Sequence, residues 1–226
     1  MLALLLGAIL SIVHFFSESI HISFPEHRMK IVSFSSGLFV TYLFIHLLPL
    51  LYRQTQIEIE ISMISVLFGF TVFHIIEKYI YKHESRPVVL KKEMKEVHSI
   101  AFFIYHLMIG MVIVKLAELS MADTALFFVP ILFITAIGSV SMKYLYASKN
   151  LQVKVLLSIS TFIGTVVAFF MNIPEIIFIS ILGFMIGTLM YIIIMDAIPK
   201  EREGEPVFFI IGLLVYMTII MFTWFI

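Results

Sequence analysis

The run SFSSGLFVTYLFIHLLPLL, residues 33–51, decides the fold. It contains no Asp, Glu, Lys or Arg, and its apolar positions are continuous rather than alternating. Such a run reads as a membrane helix and not as a strand of a membrane barrel, which shows a period of two. Crossing about 30 Å of hydrocarbon takes roughly 20 mostly apolar residues. Extended to Ile31 and Tyr52, this run supplies them. The rest of the chain repeats the pattern, and spans are expected near 2–17, 31–52, 61–80, 99–119, 124–146, 151–171, 175–197 and 206–226. The first stretch lacks a basic leading region and a small-residue cleavage site, so it reads as a helix rather than a signal peptide.

Composition agrees with a lipid solvent. Hydrophobic residues make up 61% of the 226 positions and charged residues only 13%, with a mean hydropathy of +1.08. A soluble domain of this length could not hide so much apolar surface in one core. The expectation is therefore a single all-α integral membrane domain over residues 1–226. Fifteen basic residues balance fifteen acidic ones, which leaves no electrostatic footing for nucleic acid. The absence of cysteine excludes disulfides and thiolate metal sites. The abundant Phe and Met read as lipid-facing and packing residues.

Orientation follows from the distribution of Lys and Arg. With the N-terminus outside, the inner loops and span ends hold Arg28, Lys30, Lys78, Lys82, Arg86, Lys91, Lys92, Lys95, Lys143, Lys149, Lys154, Lys200 and Arg202, leaving only Arg53 and Lys115 outside. Eight spans place both termini outside. The sizeable loop, about 81–98 (YKHESRPVVLKKEMKEVH), is expected to be cytoplasmic and mobile.

Ionisable groups deep in a span cost on the order of 2.5–3.5 kcal/mol on insertion scales, so each needs a reason. His74 and His106 fall at similar depth in the third and fourth spans, and Glu77 lies one turn from His74. His14 and Asp196 end their spans on the same side. Five groups able to bind a cation or relay a proton thus share one layer, though helix rotation decides whether they meet. His14, Glu18 and His21 also share a helical stripe suited to zinc. Gly183 and Gly187 form a G-x-x-x-G that lets another helix approach closely. Pro130 interrupts the hydrogen bonding of the fifth span.

Taken in order, these stretches resemble the ZIP (Zrt-, Irt-like) family of divalent metal transporters. Residues 33–51 look like its second span, aligning Gly37, His46, Leu47, Leu48 and Pro49, with Leu50 at the family's Glu. LFGFTVFHIIEKY, residues 67–79, resembles the third span, with Glu77 near its end, and GFMIGTLMYIIIMDAIPKE, residues 183–201, the seventh. In the fourth span the family's His-Asn-x-x-Asp-Gly meets Tyr105, His106, Leu107, Met108, Ile109 and Gly110. In the fifth, His-Glu-x-Pro-His-Glu meets Phe127, Phe128, Val129, Pro130, Ile131 and Leu132. The shaping Gly and Pro remain while nearly all metal ligands are hydrocarbon.

The resemblance implies an eight-helix ZIP-like bundle in the cell membrane, with transport of zinc- or iron-type divalent cations as its inherited function. The usual site is degenerate. A displaced site would draw on His74, Glu77 and His106, with His14 and Asp196 as further candidates. Zinc or another divalent ion would be cargo and not a resident cofactor, a homodimer fits the family, and no enzymatic activity is implied. Two other classes are open: a non-transporting relative that acts through membrane-protein partners, and an intramembrane zinc hydrolase using His14, His74, His106 and Asp196 to activate water.

Overall fold

A computed structural model describes residues 1–17, 25–53, 56–141, 151–171, 173–194 and 204–223. Its helices are α1 (Leu2–Ser17), α2 (Pro25–Thr41, continued below), α3 (Gln56–His83), α4 (Pro87–Leu119), α5 (Met121–Ser141), α6 (Leu151–Phe170), α7 (Glu175–Ile192) and α8 (Pro206–Thr223). No strand occurs among the described residues. Six helices (all but α1 and α5) are long and apolar enough to cross a bilayer, while α1 and residues 121–136 of α5 are shorter apolar helices. This is the make-up of a multi-pass helical membrane protein.

Helix α2 is not uniform. It runs as an α-helix to Thr41, widens into a π-helix over Tyr42–Leu47, and closes with one α-turn, Leu48–Leu51. Pro49 supplies the reason. It has no N–H to donate, and its ring would collide with the carbonyl four residues back. The chain widens instead, and the Leu48 amide bonds to the Leu43 carbonyl, five residues back.

The segment 81–98 differs from the sequence expectation. It is helical except at residues 84–86, because α3 continues to His83 and α4 starts at Pro87. Proline is favoured at the first helical position, and the Lys, Glu and Met that follow are good helix formers. At about 1.5 Å per residue, helices this long exceed the hydrocarbon thickness. The turn between them is fastened by Arg86, whose Nε and Nη2 donate to Glu84 at 3.0 and 2.9 Å.

Three helix pairs build the bundle, α3 with α7, α4 with α6 and α2 with α8, and α1 packs on α6. Each of the three is a seam of glycine against backbone. In α3–α7, an added Cβ on Gly69 would strike the Phe184 carbonyl, and one on Gly187 the Val66 carbonyl. In α2–α8, Gly37 faces the Phe209 carbonyl and Gly212 the Phe34 carbonyl; in α4–α6, Gly110 faces Thr161 and Gly164 faces Leu107. Lipid gives no hydrophobic drive to helix association, so close van der Waals contact must supply it. The missing Cβ atoms let the backbones approach that closely.

The pairings α3–α7, α2–α8 and α1–α6 map onto themselves when α1, α2 and α3 are exchanged with α6, α7 and α8 and α4 with α5, while α4–α6 maps onto α5–α1, a looser contact. The α3–α7 seam becomes α8–α2, and Gly69 and Gly187 correspond to Gly212 and Gly37. Both seams run parallel: Ser62 and Val66 meet Gly183 and Gly187, and Ser33 and Thr41 bond Glu205 and Leu213. Helices α3 and α8, which this exchange relates, are the two least buried in the bundle. Entry to α8 is set by Gly204 at φ 96, a conformation open to glycine. The next amide, Glu205 N–H, then donates to Ser33 Oγ of α2 at 2.8 Å.

Candidate functional site

The buried histidines of the bundle lie on α1, α2 and α4, and buried hydroxyl groups lie on all eight helices. Nearest the start of α5 is the π segment of α2, which buries Tyr42 and His46. Their rings stack with centroids 5.7 Å apart. Arg53, just past the end of α2, donates to Asp123 of α5 at 3.0 Å, and both charges act electrostatically on His46. Tyr42 meets Phe127 edge-on at 6.2 Å and Tyr216 of α8 at 6.0 Å. The Tyr216 hydroxyl is committed, donating to the Leu126 carbonyl at 2.5 Å.

Deeper in the bundle the row passes to α4. Tyr105 is buried there, and its ring meets that of the adjacent His106 at 5.6 Å. His106, 1% exposed, has its Nδ1 3.1 Å from Thr161 Oγ1 of α6. Phe102 stacks on it at 3.9 Å, and His14 of α1 stacks parallel to it at 5.5 Å. His14 hydrogen-bonds the Leu157 backbone and feels Lys154, whose ammonium lies 4.5 Å over Phe15 at the opposite end of the bundle from Arg53.

Five buried polar atoms find no hydrogen-bond partner among the described residues: Tyr42 Oη, His46 Nε2, Tyr105 Oη, Thr135 Oγ1 and His14 Nδ1. An unmet buried donor or acceptor costs about 1–3 kcal/mol, so a group of them in an apolar bundle marks a place built for something polar.

The sequence-predicted candidates separate into two places. His14 and His106 come together across α1, α4 and α6. His74 and Glu77 sit instead at the α3–α7 seam, where Tyr191 donates to Glu77 Oε2 at 2.6 Å and its ring lies 6.2 Å from that of His74. His74 is exposed there. Asp196, Glu18 and His21 lie outside the described residues. Among the described residues no three of His, Asp and Glu stand close enough to hold a metal ion. Lys115, 19% exposed, reaches Glu118 at 3.4 Å and Glu175 at 3.8 Å.

Sequence reading missed Tyr42, His46, Tyr105 and Thr135 as site residues. The available signal was His46, four residues after Tyr42 and three before a proline inside an apolar run. Searched against known proteins, the chain matches no family model and no curated protein.

Proposed function

We propose that the chain is a ZIP-like membrane carrier of eight spans with both termini outside, for which divalent cations are the inherited cargo. The supporting observation is the arrangement of the bundle. One three-helix set is related by exchange to another, with α4 and α5 between them and unmet polar atoms of α1, α2, α4 and α5 inside. Carriers built from internal repeats place their sites at the repeat interface, commonly where a helix departs from regular geometry. The π segment carrying Tyr42 and His46 is such a departure. Imidazoles of His46, His14 and His106 suit borderline ions such as zinc, whereas hydroxyls do not replace carboxylates well. Weak, fast-exchanging binding follows, not a tight resident ion.

The test is uptake of zinc, iron(II) and manganese into vesicles containing the purified protein, read by an enclosed metal indicator. The reading expects uptake above protein-free vesicles, reduced by His46→Ala and left in place by His74→Ala. No uptake of any of the three ions overturns it.

A second reading has its own support. Hydrocarbon and phenol stand at the family's ligand positions, Phe127 and Tyr105 among them, which suits a relative that acts by pairing with another membrane protein. Such a protein binds no zinc above background in a calorimetric titration and retains a stable partner on purification.

A further inference from the structure

On the outer wall of the bundle, the geometry points to a binding site for the headgroup of an anionic phospholipid, formed by His74, Lys78 and Lys82 of α3. Their spacing of four residues sets them above one another on one face of the helix, and all three are exposed. Helix α3 is one of the two least buried spans, so that face meets lipid. Residues 61–76 hold no Asp, Glu, Lys or Arg, a run of about 24 Å at 1.5 Å per residue. Lys78 therefore stands where hydrocarbon gives way to headgroups, with His74 one turn inside and Lys82 one turn beyond. Tyr79 and Tyr81, 63% and 59% exposed, mark the same level, since tyrosines collect at the membrane–water boundary.

Two features separate this stripe from an ordinary basic span end. The first is where the nearest acid goes. Glu77 would cancel one of the lysines, but the Tyr191 hydroxyl donates to its Oε2 at 2.6 Å and holds it in the α3–α7 seam. Neither Lys78 nor Lys82 has an ion-pair partner among the described residues, whereas the next cation, Arg86, is taken by Glu84 at 2.9 Å. The second is the contrast with α8, which is equally exposed and related to α3 by the exchange of helices. Its span, Pro206–Thr223, carries no His, Asp, Glu, Lys or Arg, so the fold does not require a polar group on this wall. Ionisable groups in a span ordinarily face the bundle interior; one that faces lipid at headgroup depth calls for a counter-group from the lipid. A phosphodiester supplies it, its oxygens accepting from both ammonium groups and from a His74 ring N–H. An acyl chain then lies along Leu67, Phe68 and Ile75, all exposed on the same helix. With the carboxylate engaged elsewhere the stripe is net positive, which favours a headgroup of net negative charge. Choline would bring its own ammonium against two others.

The inference rests on the chain crossing a membrane and not on its cargo. Purified protein in micelles is titrated with phosphatidylglycerol and, separately, with phosphatidylcholine, and bound lipid is counted by native mass spectrometry. EDTA is present throughout, so that no metal ion bridges phosphate and histidine. One phosphatidylglycerol should bind roughly tenfold more tightly than phosphatidylcholine. Lys78→Gln combined with Lys82→Gln should weaken it roughly thirtyfold, the loss of two cations from a lipid surface. Lys92→Gln, on α4 and paired with Glu96 at 3.8 Å, should leave it unchanged. Folding of each variant is checked by its gel-filtration profile. If the double variant fails to fold, Lys82→Gln alone should weaken binding roughly fivefold. Excess glycerol 3-phosphate, which carries the phosphate without the tails, should not displace the lipid. Equal binding of the two lipids overturns the site, as does undiminished binding in the folded lysine variants. Displacement by glycerol 3-phosphate overturns it too, giving the stripe to soluble phosphate. Lipid preference without metal uptake removes the carrier reading alone, and metal uptake without lipid preference removes this inference alone.

Discussion

Replacing Gly187 by alanine tests the seam logic of the fold. In an ordinary helix this change stabilises by about 1 kcal/mol, since alanine is the better helix former. Here the new Cβ would lie 2.8 Å from both the Phe70 nitrogen and the Val66 carbonyl carbon, and nearer still to the Val66 oxygen. Ordinary contact begins at 3.4 Å, so α7 must withdraw from α3 by at least 3.4 − 2.8, or 0.6 Å. Every obstructing atom is backbone and cannot turn aside. Overpacking of this kind costs about 1–3 kcal/mol. With a rigid obstacle the upper part of that range applies, and subtracting the propensity gain leaves about 1–2 kcal/mol of net destabilisation, a factor of roughly 5–30 in the folding equilibrium. Reversible unfolding in mixed micelles, titrated with SDS and followed by far-UV circular dichroism, measures it. Gly7→Ala is the control: its Cβ would meet the Thr165 side chain and no backbone, at 2.6 Å from both γ atoms. No rotamer of threonine turns both γ atoms aside, so a cost is expected here too, smaller than that of Gly187→Ala because the obstacle is a side chain. If Gly187→Ala is as stable as the parent, the close seam is not what holds α3 to α7.

Other expectations can be checked in the same preparation. Tyr191→Phe removes a hydrogen bond to the Glu77 carboxylate and should destabilise by about 1–3 kcal/mol, as for bonds to charged groups, in the same SDS titration. Pro49→Ala restores an N–H and removes the ring that forces the π segment. It should slow deuterium exchange over residues 42–49, read by mass spectrometry, while lowering uptake. The Glu84 carboxyl, held by Arg86 from an ordinary 4.5 down to about 2, should stay ionised through mild acid in a carbon-13 NMR titration. A depressed folded value contributes stability above 4.5 that fades as pH falls toward 2, and Arg86→Gln should return the carboxyl to the ordinary range.

Helix existence was legible from apolar run length, because lipid imposes it with little regard for tertiary context. The close approach at Gly183 and Gly187 was legible too, since a missing Cβ is a local fact: Gly183 faces Ser62 and Gly187 faces Val66. Helix rotation was not. The expected layer of His14, His74, Glu77, His106 and Asp196 was blind to azimuth: among the described residues, His106 and His14 meet beside Thr161 while His74 and Glu77 turn toward Tyr191. Residues 81–98 misled for a different reason: their charge signalled solvent, yet Lys, Glu and Met favour helix as readily in water as in a bundle. The π segment escaped notice because proline in a span reads first as a kink.

Counted in residues instead of ångströms, α2 is longer than its path. A π segment accommodates one extra residue in the course an α-helix would take between the same ends. Deleting a single residue from 42–47 together with Pro49→Ala should therefore return the stretch to α-helix and keep Leu50 and Leu51 on the buried face they now occupy. A deletion earlier in α2 would turn everything beyond it by about 100° and carry those leucines into lipid. For this helix, the shorter chain is the conservative variant.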